Sequence, residues 1–414
     1  MDITIIGGGI GGLTLALALH ERGIPCRVFE AAPEIRPLGV GVNLLPHATG
    51  VLDGLGVLPA LERMAIATKE AAYFNRFGQL IHTEPLGRDA GYAHPQLSIH
   101  RGDLQMALFE AARERLGADR ILTGWKGERV EQDAASATVR FTDTSTGEAR
   151  PPQRADAAVA CDGIHSVVRR DFFPDEGPPI YSGVNMWRGT TRMRPVLSGA
   201  TMVRAGWLAH GKMVIYPIRN HPDGTQMMNW VAEIETPEHS RNDWSRPGRL
   251  EDFLPAFADW RFDWLDVPEM IRNAGQVLEY PMVDKDPLPR WSHGRVTLLG
   301  DAAHPMYPRG SNGAGQAILD ARALADCLAA SPSDPVAALK AYEDRRLGPT
   351  TEVVRSNRSN PPDAIIREVW LRSGDKPFNR IEDVISPAEL ASMIEGYKQV
   401  AGYDRSALER SASA

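Results

Sequence analysis

The sequence predicts an α/β protein in three parts: a lobe on a parallel sheet, a second lobe on an antiparallel sheet, and a helical C-terminal tail. Three observations lead there. Residues 2–30 read strand, glycine-rich turn, helix, strand, a βαβ unit whose two strands run parallel. From about residue 181 to 279 the pattern changes to β-rich runs joined by a turn-rich link at 220–224. The chain has 414 residues, more than one simple core and suited to two lobes.

The elements follow in order. Residues 2–6 are short and β-branched, 13–22 have helix-forming composition, and 26–30 read as the second strand. A Pro/Gly-punctuated loop then leads to a helix over 46–55, and 73–81 read as one strand outside the first unit. Residues 101–116 are apolar at helical spacing through Leu104, Ala107, Leu108 and Ala111. Strands are expected at 137–141 and 157–160, then at 212–218 and 227–234 in the second lobe. The first lobe resumes with a buried strand at 295–299, a long helix over 315–330 and a further helix over 337–346. In the tail, Ser386-Pro387-Ala388-Glu389 is a helix start: a capping serine, a proline at the first helical position and a glutamate to close a capping box. Ile385 and Leu390 are placed as a hydrophobic staple. The first lobe is therefore expected to be discontinuous, over 1–70, 98–178 and 276–358, with the second over 71–97 and 179–275 and the tail over 359–414.

Composition excludes several classes. The net charge is −7 and no long basic run occurs, which disfavours a nucleic-acid partner. No apolar run approaches the roughly twenty residues of a membrane span. The first strand begins almost at Met1, which leaves no room for a cleavable signal, and the three cysteines lack disulfide or metal spacing. A cytoplasmic protein without metal is expected. The eleven histidines show no ligand spacing, and Ser166 lies in no G-x-S-x-G setting. The charge-mixed stretch 241–249 reads as a solvated loop.

The first chemical motif is Gly7-Gly8-Gly9-Ile10-Gly11-Gly12 between strand and helix. It fits G-x-G-x-x-G and makes this lobe Rossmann-like: Gly7 for the tight turn, Gly9 for close approach of a pyrophosphate, Gly12 for helix packing. The helix N-terminus offers free N–H groups to the anion. Glu30 closes the second strand, where an acid binds ribose hydroxyls and repels a 2′-phosphate. Cys161-Asp162-Gly163-Ile164-His165-Ser166 follows another strand, and Gly300-Asp301-Ala302-Ala303-His304-Pro305 follows a third. Gly310, Gly313 and Gly315 then open the long helix. Asp301 could bind sugar-alcohol hydroxyls or cap a helix. Asp162 could face a ligand or be a turn residue. His304 reads as structural.

Together the three motifs resemble the class A FAD-dependent aromatic monooxygenases, the family of para-hydroxybenzoate and salicylate hydroxylases, over roughly residues 1–350. The likeness extends to 5-methylphenazine-1-carboxylate 1-monooxygenases through Glu34-Ile35-Arg36-Pro37-Leu38-Gly39-Val40-Gly41, Ser98-Ile99-His100-Arg101-Gly102, Met186-Trp187-Arg188-Gly189 and Tyr280-Pro281-Met282-Val283-Asp284. The tail departs from it, so the likeness bears on reaction class more than on substrate.

The resemblance implies an FAD-binding lobe of the glutathione-reductase type. Its FAD would be held by Gly7, Gly9, Ile10, Gly11, Gly12, Glu30, Gly41, Arg101, Gln105, Asp162, Gly300, Asp301, Pro308, Gly310, Gly313 and Ala314. Gly315 stands where para-hydroxybenzoate hydroxylase has an asparagine, so only backbone contacts carry over there. The implied reaction passes hydride from NADH or NADPH, a transient co-substrate, to FAD. A flavin hydroperoxide formed with O2 then hydroxylates an aromatic or N-heteroaromatic molecule. Pro308 and Tyr216 are the expected catalytic positions, with substrate on Val214, Tyr216, Trp230, Trp187 and Arg188. Core packing is the alternative for the aromatics, and a structural acid is the alternative partner for Arg188. A flavin-dependent reductase on the same fold, or a GDP-dissociation-inhibitor-like binding protein, are the rival functions. A monomer or homodimer is expected.

Overall fold

The computed structural model describes residues 1–37, 39–237, 246–359, 361–406 and 408. Leu38 and most of the stretch 241–249, expected to be a solvated loop, lie outside them.

The first lobe is built on a six-stranded sheet. Its order is Ser292–His293, Val296–Leu298, Ala157–Ala160, Ile3–Ile6, Cys26–Glu30 and Ile121–Thr123, parallel except for the first pair. Helix Ile10–Glu21 follows the first strand and is buried along most of its length against Gly313–Ala330 and Arg101–Leu116. The central strand Ala157–Ala160 is buried throughout, and its small side chains let helices approach closely.

The second lobe is an eight-stranded sheet. Its order is Arg246–Pro247, Val277–Asp284, Ile180–Met193, Gln226–Glu235, Lys212–Asn220, Thr201–Gly206, Glu70–Phe74 and Leu80–Pro85. All neighbours are antiparallel except Thr201–Gly206 with Glu70–Phe74. The sheet takes in residues 277–284, beyond the boundary drawn at 275. The single strand expected over 73–81 is a hairpin instead. Asn75 accepts hydrogen bonds from the N–H groups of Phe77 and Gln79 at 3.0 and 2.9 Å, and Gly78 adopts φ +81° to close the turn. A three-stranded sheet, Gly41–Leu44, Gln96–His100 and Ile66–Thr68, sends Leu44, Leu97 and Ile99 into the core of the first lobe.

The helix expected over 337–346 runs from Pro335 to Ser359 and contains Pro349. A proline costs one helical bond, but burial of Thr350, Val353, Val354 and Asn357 on one face carries the helix through. The tail then folds back as Ala364–Ser373 and Pro387–Ala401. The capping box at Ser386 is formed, and Ile385 and Leu390 are buried in the same apolar cluster. Among the described residues no helix is long and apolar enough to cross a membrane.

Candidate active site

A cavity of about 350 Å³ lies between the two lobes. Its first wall comes from turns of the parallel sheet. Strand Ile3–Ile6 delivers Gly9, Ile10 and Gly11, strand Ala157–Ala160 delivers Cys161 and Gly163, and strand Val296–Leu298 delivers Gly300 and Asp301. Pro308, Gly313 and Ala314 continue this wall, and Arg101 and Gly41 border it. The opposite wall is the face of the eight-stranded sheet that carries Met186, Arg188, Val214, Tyr216 and Val231.

The glycines divide by what they serve. A Cβ on Gly7 would lie 2.4 Å from the Cys161 carbonyl oxygen, and one on Gly12 would lie 2.0 Å from the Gly7 carbonyl oxygen. Both are required by the fold. A Cβ on Gly9 would meet nothing within 4 Å, so the chain leaves that space clear. Helix Ile10–Glu21 starts there without a side-chain cap, and so does helix Gly313–Ala330 across the cavity. Two uncapped helix starts facing one cavity suit a pyrophosphate and the electron-rich edge of a flavin ring. The residues present therefore fit FAD.

Charged groups near these turns are held firmly. Glu30 accepts from the N–H groups of Gly8 at 2.6 Å and Ala32 at 2.7 Å, and Gln105 donates to the Gly8 carbonyl at 2.9 Å. Both brace the phosphate loop; neither lines the cavity. Asp162 accepts from Val167 N–H at 3.0 Å, and its other oxygen is buried without a partner. Burial pushes its carboxyl up, against hydrogen bonds from Ser166 and the backbone. Asp301 opens into the cavity yet is walled in by protein, which pushes its carboxyl up while His304 and Arg101 pull it down.

Behind Asp301, Asp320 binds the His304 ring, the Gly300 N–H at 3.2 Å and Arg346 at 2.7 Å. Burial would raise the Asp320 carboxyl, but His304 and Arg346 hold it below the usual range. His304 is thus a fixture of the turn, as the sequence reading has it. Gly310 turns away from the cavity and packs on the tail, where a Cβ would strike the Tyr397 hydroxyl. Neighbouring Ser311 sits at φ +55°.

On the sheet wall, Val214 pairs with Val231 and Tyr216 with Asn229, so these four share the cavity face. Trp230 pairs with Ile215, and Trp187 with Ala232, on the other face. There both tryptophans are buried with Phe253, whose ring stacks on Trp187 at 5.1 Å. The expectation that Trp230 and Trp187 line the substrate space is therefore corrected: side chains alternate across a strand, and these two fall in the core behind it. Arg188 does face the cavity. It donates to the Gly41 carbonyl at 2.8 Å and meets the Tyr216 hydroxyl, and no structural acid pairs with it among the described residues. Burial pushes the Tyr216 hydroxyl up, with Arg188 opposing.

Sequence reasoning passed over Arg204, Lys212, Glu233, Met186, Val231 and Arg309, all of which line the cavity. Lys212 stands two residues before Val214 and was legible by strand alternation. Arg204 had no such signal, because its strand was not recognised.

The FAD binding domain family matches residues 1–357. The chain belongs to this FAD-binding domain family. A phenazine 1,6-dicarboxylic acid hydroxylase, PhzS, of Lysobacter antibioticus is 43% identical over 407 residues, 96% of this chain and 97% of that protein. The 3-amino-4-hydroxybenzoate 2-monooxygenase PtmB3 of Streptomyces platensis is 35% identical, covering 97% of this chain and 96% of its own length. Among solved structures, Klebsiella pneumoniae HpxO complexed with FAD and uric acid aligns with a TM-score of 0.77 at 24% identity, covering 95% of this chain and 96% of that one. A salicylate hydroxylase substrate complex aligns with a TM-score of 0.73 at 24% identity over 99% of this chain and 97% of that one. This FAD-binding protein is an FAD-dependent aromatic hydroxylase, and FAD is its cofactor.

Proposed function

We propose that this hydroxylase oxidises a planar N-heteroaromatic acid of the phenazine carboxylic acid class, using NADH or NADPH and O2. The observation that carries this reading is the cavity itself. It places the Pro308 loop of the FAD lobe opposite an apolar wall of Met186, Val214, Tyr216 and Val231. A flat ring held between them would face the flavin. The likeness to a phenazine 1,6-dicarboxylic acid hydroxylase over nearly the whole chain supports the substrate class.

When bound, FAD accepts hydride from the nicotinamide and, once reduced, activates O2 for transfer of one oxygen atom to the ring. The chain supplies the rest. Gly9 and the start of helix Ile10–Glu21 would hold the pyrophosphate, and Arg101 and Asp301 would hold the rest of the cofactor's chain. The start of helix Gly313–Ala330 would favour negative charge on the flavin. Tyr216 lines the substrate space with its hydroxyl beside Arg188 and Asn43, and the apolar wall keeps water from the reacting atoms. No second glycine fingerprint occurs in the sequence, so the nicotinamide visits without a domain of its own.

The three cysteines are free, which supports the cytoplasm as the site of action. A panel of aromatic acids, read as coupled O2 uptake and hydroxylated product, tests the proposal. Product from phenazine carboxylic acids upholds it. NAD(P)H oxidation with an organic electron acceptor and no oxygenated product would favour a reductase.

A further inference from the structure

The helical tail lies beyond the 1–357 family match, yet it reaches the cavity wall. Asp363, just before helix Ala364–Ser373, is 1% exposed. Its carboxylate forms ion pairs with Lys212 and, at 3.4 Å, with Arg204. Lys212 also meets Glu233 at 3.0 Å. Lys212, Glu233 and Arg204 are 1%, 4% and 6% exposed, and all three line the cavity; Asp363 stands behind them.

Burying four charges carries a large desolvation cost before pairing, and apolar residues would seal a wall at lower cost. Arg204 is poorly satisfied as well. A guanidinium carries five donors. Beyond Asp363, Arg204 reaches the Met202 sulfur at 3.5 Å, and its Nε has no hydrogen-bond partner. Arg309, also on the cavity, lies over the Tyr307 ring and acts on Asp363 by its charge, with no direct ion pair among the described residues. Among these five groups Arg204, Lys212 and Arg309 outnumber Glu233 and Asp363 by one positive charge, and Arg204 and Lys212 both border the cavity.

We propose that Asp363 is a positioning residue that holds Arg204 and Lys212 as a wall accepting a carboxylate of the aromatic substrate. This rests on the aromatic-acid reading above. The tail thereby sets which ring substituent is accepted, and with it which edge of the ring faces the flavin.

The test is a titration of the FAD-loaded enzyme with phenazine-1,6-dicarboxylate and with the matching dicarboxamide, followed by the flavin absorbance change. The wild type binds the acid at least about tenfold more tightly than the amide, as a charge-assisted contact implies. Asp363→Asn and Arg204→Gln each abolish that preference and raise the KM of the acid by more than they lower kcat. The double variant loses no more than either single one, because the two act as a unit. Wild-type indifference to acid or amide overturns the proposal. So does an Asp363→Asn enzyme that keeps the preference, or one that loses affinity for both probes alike. If Asp363→Asn fails to fold, retained preference in Arg204→Gln overturns it. Equal hydroxylation of acid and amide removes the wall and leaves the hydroxylase reading standing. Preferential binding of the acid without hydroxylation removes the substrate reading and leaves the wall.

Discussion

The Tyr397 hydroxyl lies so close to Gly310 that a Cβ built on the glycine would sit 1.5 Å from it. The same hydroxyl donates to Asn357 at 2.8 Å, and Asn357 donates to the Tyr307 carbonyl at 3.2 Å. The tail therefore props the loop that carries Pro308. Gly310→Ala should displace that loop, lowering both FAD content and Tm. Tyr397→Phe loses one buried hydrogen bond, about 1 kcal/mol, and should keep its flavin. Flavin absorbance and thermal unfolding check both, and wild-type values in Gly310→Ala would count against the prop.

The fingerprint glycines should separate in the same two measurements. Gly12→Ala puts a Cβ 2.0 Å from the Gly7 carbonyl oxygen and should destabilise the apoprotein. Gly9→Val meets open space in the protein and should leave apoprotein Tm unchanged while abolishing FAD binding. Full FAD occupancy in Gly9→Val contradicts the assignment of that space to the pyrophosphate.

Tyr216 and Trp230 should divide between function and stability. Trp230 is fully buried in the core behind the sheet, so Trp230→Ala should cost about 3–5 kcal/mol in denaturant unfolding. Tyr216→Ala should keep FAD and shift the ratio of hydrogen peroxide to hydroxylated product toward peroxide. Unchanged coupling there would remove Tyr216 from the substrate wall.

The sequence made the first lobe legible because its chemistry is local. The run from Gly7 to Gly12, the strand before it and Glu30 after it fall within thirty residues, and each turn of the parallel sheet is announced by its own glycine. The sheet wall was legible only by half. Alternation groups Val214 with Tyr216 on one strand and Met228 with Trp230 on the next, but it cannot say which set on one strand shares a face with which on the other. That needs the register, which pairs Tyr216 with Asn229 and sends Trp230 to the core. Asp363 was hidden for a different reason. Its partners Lys212 and Arg204 are about 150 residues away, and no local pattern marks a lone aspartate before a helix as the partner of two buried cations.

Asp320 gives a pH-dependent prediction. Its carboxyl is held below the ordinary value of 3.8 in the folded protein by His304 and Arg346, against burial. A depressed folded value means the stabilisation is fully present above the unfolded value and is lost as pH falls through the folded one. Stability should therefore decline below about pH 4 in the wild type. Asp320→Asn should be less stable at neutral pH and lack that part of the acid decline. Urea unfolding at several pH values reads all of this, and an unaltered acid limb in Asp320→Asn would contradict it.

The most direct test of the account is turnover of phenazine-1,6-dicarboxylate by the FAD-loaded enzyme with NAD(P)H under oxygen-18-labelled dioxygen. The account predicts a hydroxylated product carrying a single labelled oxygen, formed in equal amounts with the nicotinamide and dioxygen consumed. Nicotinamide oxidation that yields only labelled hydrogen peroxide, or a product whose oxygen is unlabelled, would contradict it.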